Sequence, residues 1–192
     1  MSVYEIASKR RSIRRFKNMP IPREVLRRCV DAARLAPSGA NLQPLEYVVV
    51  NDAHLLPQVL STIKWAAYIR PAGDPPLGKE PQAYILILKS RDATSPWVMY
   101  DVGAAMENII LVALEKGIGA CPLLNVEWDR LRAVLTIPDR YETQLLIAMG
   151  YPDEIPIEVP FEGSVRYWKD DEGVLHVPKR RLEEVLHWNT FW

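Results

Sequence analysis

The sequence predicts an α+β fold, a mixed sheet with helices on its faces. Three observations carry this expectation. Strand-length apolar runs alternate with amphipathic stretches in the order α, α, β, α, β, α, β, α, β. The runs are rich in β-branched residues, as in Val48, Val49 and Val50. One long segment, 97–116, is apolar on most sides, so it belongs at the centre of the fold or in an interface.

At the N-terminal end a short helix fits residues 3–9, and Pro20 and Pro22 punctuate the chain before the next one. From Arg23, Leu26, Cys29, Val30 and Ala33 recur at helical spacing, while Arg27, Arg28, Asp31 and Arg34 cover the other face. Pro37 ends that helix and opens a polar loop to Pro44. Strand character returns at 46–50, then helix at 52–63. Residues 64–81 collect prolines, glycines and two aromatics, the mark of an ordered excursion rather than a linker. A second strand fits 83–89. Ser95 and Pro96 then supply an N-cap and a first-turn proline for the long helix, which Gly117 stops. A short strand at 120–124, a helix at 127–135 and a strand at 144–149 complete the series. The stretch 153–172 reads as irregular, with 165–169 an edge strand or hairpin arm, and 182–187 as a final helical turn or two. The 192 residues suit one domain, with the excursion at 64–81 lid-like and 178–192 a C-terminal extension.

Charge is balanced overall, 24 basic residues against 24 acidic. That argues against a protein built to coat nucleic acid or an anionic membrane. The two cysteines, Cys29 and Cys121, are too few for a disulfide scaffold, and no apolar run reaches membrane-spanning length. A cytoplasmic protein is expected. The balance conceals a gradient. Residues 1–50 hold ten basic and four acidic side chains, whereas 142–175 hold two basic and eight acidic. The sharpest cluster comprises Lys9, Arg10, Arg11, Arg14, Arg15 and Lys17, and a second comprises Lys179, Arg180 and Arg181. Each cluster fits either a solvated face or an anion site.

Several chemistries lack their motifs. His54, His176, His187 and the two cysteines show no metal-ligand spacing. There is no nucleophile elbow and no P-loop, and Gly117-Ile118-Gly119 lies between helix and strand, the wrong order for a dinucleotide fingerprint. An enzyme of this sequence would leave the difficult chemistry to a cofactor.

Two segments carry a positive reading. In 10–16 an extended backbone would place Arg10, Ser12 and Arg14 on one side, with Ile13 inward. Guanidinium groups and a hydroxyl suit a phosphate, and Lys179 and Arg180 could reach the same anion. In 36–44, Ser38, Asn41 and Gln43 offer donors and acceptors suited to a heteroaromatic edge, or simply a polar turn before a strand.

With these, Asp101 to Asn108 on the long helix, Gly117 to Pro122, and Lys179 to Trp188 fall in an order that resembles the nitroreductase family of FMN-dependent oxidoreductases. The resemblance covers residues 2–189. It implies a mainly antiparallel α+β homodimer, with the long helix at the interface and FMN bound between subunits. Arg10, Arg11, Ser12 and Arg14 would hold the phosphate and ribityl chain, helped by Lys179 and Arg180. Pro37, Ser38, Asn41 and Gln43 would reach the flavin from the neighbouring subunit, and Pro122, Leu123 and Leu124 would lie beside its ring. NADH or NADPH would pass hydride to flavin N5, and a nitroaromatic, quinone or similar small acceptor would then collect it on the same face. No protein acid or base is implied. Dehalogenation or flavin modification on the same fold, or flavin binding and redox sensing with little turnover, remain open. Trp65 and Tyr68 are candidate lid residues over the acceptor; packing would account for them equally well.

Overall fold

The strand-length apolar runs pair into a four-stranded sheet in a computed structural model that describes residues 1–191. Trp192, the end of the expected extension, lies outside the described residues. The strands are β1 (Leu45–Val50), β2 (Ala83–Ser90), β3 (Gly119–Leu123) and β4 (Tyr141–Gly150), in spatial order β1-β2-β4-β3. All three pairings are antiparallel. The helices are α1 (Val3–Lys9), α2 (Arg23–Arg34), α3 (Leu56–Leu60), α4 (Val98–Glu115) and α5 (Trp128–Val134). The order expected from the sequence is thus observed.

The period-two pattern of β2 sends its side chains to two cores. Ala83, Ile85 and Ile87 meet Leu26, Cys29 and Ala33 of α2 and Ala105, Ile109 and Ala113 of α4. Tyr84, Leu86 and Leu88 meet Val59 of α3 and Leu131 of α5 on the opposite face. Each large aliphatic side chain among them contributes about 1.5–3 kcal/mol by leaving water, so covering both faces is what holds the sheet central.

Several boundaries differ from the sequence reading, each for a local reason. The helix expected over 52–63 is only Leu56–Leu60. Its first part is a turn in which the Asp52 carboxylate accepts the N–H groups of His54 and Leu55. Ser95 does not cap α4; its hydroxyl accepts the N–H of Trp97, which itself occupies the cap position. The helical turns expected over 182–187 shrink to a 3-10 turn at Leu182–Glu184.

The largest difference lies in the acidic stretch. Residues 157–179 build a second, three-stranded sheet from β5 (Ile157–Pro160), β6 (Trp168–Lys169) and β7 (Leu175–Lys179), in the order β5-β7-β6. β5 and β7 are parallel, β6 and β7 antiparallel. Two-residue β6 and proline-bearing β7 offer no periodic run to read.

This second sheet brings the acidic stretch onto the basic one. Arg11 pairs with Glu158. The Glu154 carboxylate accepts the backbone N–H groups of Arg14 and Arg15. Lys79 pairs with Asp153 at 2.5 Å. The charge gradient along the chain is therefore offset, among the described residues, at one ion pair between the two stretches, Arg11–Glu158, and otherwise stays largely uncompensated.

Candidate active site

The segment leaving α1 is held flat against the main sheet by its two apolar residues. Ile13 and Phe16 are buried. Two glycines let them approach: a Cβ on Gly119 would lie 2.7 Å from Ile13 Cγ1, and one on Gly150 would lie 2.7 Å from Phe16 Cδ1. Backbone bonds fix the register, with Ile13 N–H donating to Ala120 O at 3.0 Å and Phe16 N–H to Lys79 O at 2.9 Å. Ser12 bridges Ala120 in parallel.

The polar residues between these anchors converge. Arg10, Arg11, Ser12 and Arg14 line one small cavity of about 80 Å³, and Lys179 of β7 joins them from the other end of the chain. Tyr167, Leu175 and Val177 complete the lining. Two of the arginines are partly committed. Arg10 faces Glu107 of α4 at 3.5 Å. Arg11 donates to the carbonyls of Ser8 and Arg10 and pairs with Glu158, while its Nε is buried without a hydrogen-bond partner. Among the described residues, Arg14 and Lys179 have no carboxylate partner, and the Arg14 guanidinium lies over the Tyr167 ring. An orphaned buried donor, a hydroxyl and two cations without counter-ions make a donor set for a small, multiply charged anion.

Arg180 does not line this cavity. Its guanidinium donates to the carbonyl oxygen of Glu184 at 2.6 Å and faces the carboxylate of the same residue. Arg180 follows the last residue of β7, and its side chain turns instead to the 3-10 turn that holds Glu184.

Beneath the segment, burial pushes the Cys121 thiol above its ordinary value, although Arg14 and Ser12 act the other way. Lys169 of β6 reaches Glu154 at 3.6 Å from a largely enclosed position. Burial lowers the Lys169 pKa, and the Glu154 charge opposes that shift.

The 36–44 loop forms a separate place. Pro37, Ser38 and Gln43 line a cavity of about 150 Å³ beside Asp101, at the start of α4. Asn41 does not line it. The loop is strained, with Ala40, Asn41 and Gln43 all at positive φ. Side-chain acceptors help to hold it: Gly39 N–H donates to Asp101 Oδ1 and Gln43 N–H to Ser38 Oγ, both at 2.9 Å. A wider concavity of about 710 Å³ between α2 and β1 is lined by none of the residues expected to act.

Pro122 and Leu123 end β3, and Leu124 is the next residue, exposed. The Leu123 side chain belongs to the core on the α3 face, so only its backbone is available to a ligand. The two aromatics of the excursion part company. Trp65 is 3% exposed and packs in the same core, the packing alternative of the two the sequence left open: its side chain holds the excursion down. Tyr68 is exposed and contacts Tyr167, centroid to centroid at 5.1 Å.

Asp101, Glu154 and Tyr167 were not singled out for this site by the sequence. Their neighbours are distant in the chain, and only the acidic run at 153–172 hinted at a partner for the basic segment. Among the described residues, no three His, Cys, Asp or Glu side chains are placed to hold a metal ion, and no helix is long and apolar enough to cross a membrane.

Several known proteins are similar to this chain along most of their length. The chain is 27% identical over 182 residues to an iodotyrosine deiodinase of Thermotoga neapolitana, covering 86% of this chain and 97% of that protein. It is 30% identical over 183 residues to an NADH dehydrogenase of Thermus thermophilus, covering 77% and 85%. A nitroreductase-like protein of Desulfovibrio desulfuricans, solved in complex with FMN, superposes with a TM-score of 0.71 at 25% identity, over 100% of this chain and 98% of that one. The family model described as Nitroreductase matches residues 7–151, a span that holds the arginine segment, the 36–44 loop, α4 and β3. The chain therefore belongs to the nitroreductase family.

Proposed function

We propose that this protein is an FMN-dependent oxidoreductase that takes hydride from NADH or NADPH and delivers it to a nitroaromatic, quinone or similar small acceptor. The observation that carries the reading is the meeting of Arg10, Arg11, Ser12, Arg14 and Lys179 on one cavity from opposite ends of the chain. When bound, FMN supplies the redox chemistry, accepting and donating hydride at N5. Arg14 and Lys179 neutralise its phosphate, and the orphaned Arg11 Nε and the Ser12 hydroxyl add hydrogen bonds. From Ala120, beside Ser12, the chain runs on to Leu124, about 13 Å further at ordinary strand rise. The backbone of Pro122, Leu123 and Leu124 would hold the flavin ring. Their peptide groups orient it, and no side-chain acid or base takes part.

The working unit in this reading is a homodimer. Pro37, Ser38, Asn41 and Gln43 lie near the start of α4, whereas Arg10 meets Glu107 about 9 Å further along that helix at 1.5 Å per residue. A second copy packed on α4 brings its loop to the first, and Met99 and Tyr100, 84% and 76% exposed, supply apolar surface for that contact. The reading also takes the chain as one domain, with 64–81 as a lid and 178–192 as an extension, in the cytoplasm. Reductive dehalogenation is the second reading, favoured by the deiodinase relative that spans nearly its whole length.

Purified protein should be yellow and release FMN on denaturation, and anaerobic NADH or NADPH should bleach it. Protein that takes up no added FMN overturns the proposal. Flavin binding without bleaching leaves a binder or sensor. Reoxidation by nitroaromatics or quinones, against release of iodide from iodinated phenols, separates the two enzyme readings.

A further inference from the structure

Tyr167 belongs to the segment between β5 and β6, outside the part of the chain that the family model matches. Its ring nevertheless lines the anion cavity. The Arg14 guanidinium carbon lies 5.1 Å from the ring centroid. On its other contacts the ring meets Tyr68 at 5.1 Å, and Arg166 covers Tyr68 at 5.3 Å. Arg10 and Arg11 are steered by carboxylates, which also offset their charge. Arg14 is steered by a neutral ring instead. A π-face orients a guanidinium plane while leaving its charge and edge N–H groups for an anion.

We propose that Tyr167 is a positioning residue that holds the Arg14 guanidinium for the phosphate of the bound flavin nucleotide. This rests on the FMN reading above. The ring, rather than the phenolic hydroxyl, does the holding, and Tyr68 backs it from the 64–81 segment. A ring that merely covered Leu175 and Val177 would be indifferent to the ligand's phosphate.

The test compares FMN with riboflavin, which lacks the phosphate. Affinities are read by flavin fluorescence on the full-length apo-protein. Tyr167→Phe should bind both flavins as the parent does. Tyr167→Leu should weaken FMN about five-fold, the scale of one cation–π contact, and leave riboflavin unchanged. In an Arg14→Ala background, Tyr167→Leu should add nothing further. Tyr167→Met serves as a second non-aromatic variant if the leucine protein is unstable. Equal weakening of both flavins, unchanged FMN affinity, or additivity with Arg14→Ala overturns the positioning role alone. A parent protein that binds neither flavin overturns the FMN reading as well.

Discussion

Glu154 accepts the backbone N–H of Arg14 at 2.6 Å. The same oxygen takes the Arg15 N–H at 3.2 Å, and the other reaches Lys169 at 3.6 Å. One carboxylate thus fixes the backbone of the arginine segment and ties it to β6. Glu154→Gln should keep an acceptor for the N–H groups but leave Lys169 without a counter-charge. Glu154→Ala removes both. The alanine variant should lose about 2–4 kcal/mol of stability and the glutamine variant about half as much. Urea denaturation measures the two. Equal losses would mean that the N–H contacts contribute nothing.

Gly119 is constrained by approach rather than by backbone angle. A Cβ there would meet Ile13 Cγ1 at 2.7 Å, Ile13 Cβ at 2.9 Å and Pro152 Cγ at 3.0 Å. Ile13 cannot yield without lifting its neighbours Ser12 and Arg14. Gly119→Ala should therefore cost about 1–3 kcal/mol by overpacking and weaken FMN retention in the same protein. Thermal melting and flavin titration check the pair of effects. A stable variant with normal FMN affinity would show that the segment tolerates displacement.

Asp101 is 4% exposed, and only one of its oxygens is engaged, by the Gly39 N–H. That bond anchors a loop with three non-glycine residues at positive φ. Asp101→Asn can keep the acceptor, whereas Asp101→Ala strands the Gly39 N–H. The alanine variant should lose about 1–3 kcal/mol and the asparagine variant clearly less. If Ser38 and Gln43 serve the flavin of a second copy, the alanine variant should also release FMN more readily. Unfolding curves and flavin retention after gel filtration separate the two consequences.

The range of each interaction decides whether the sequence reveals it. The main sheet and its helices were legible because the periodicities of β2, α2 and α4 are local and strong. That the residues from Arg10 to Arg14 meet on one cavity was foreshadowed by their clustering in a short extended segment, and Lys179 by its place in a second basic cluster. Arg180 stands apart from that cavity because Glu184, in the following turn, engages its guanidinium, and the strand β7 that precedes it was not foreseen. Trp65 was ambiguous because an aromatic in a proline-rich excursion can either cover a ligand or pin the loop, and only burial decides. Tyr167 and Glu154 gave no site signal. Their contacts with Arg14 cross about 150 and 140 positions, which no window along the chain contains.

The β6–β7 hairpin carries the Tyr167 segment, and its closure depends on Asp170. Asp170 Oδ2 meets His176 Nε2 at 2.8 Å, and Oδ1 accepts the Val174 N–H at 2.8 Å. The His176 hydrogen bond, then the Val174 N–H, hold the Asp170 carboxyl below its ordinary pKa. Its pKa in the folded state thus lies below that of the unfolded chain, about 3.9. The unfolded chain binds the proton more tightly, so the stabilisation is complete above that value and is lost as pH falls through the folded one. Amide exchange at Val174, corrected for its intrinsic pH dependence, should show strong protection at neutral pH and a loss confined to the acid range below about 4. Asp170→Asn should lower protection at neutral pH and flatten the acid response. Acid loss that persists unchanged in the asparagine variant would assign it to another carboxylate.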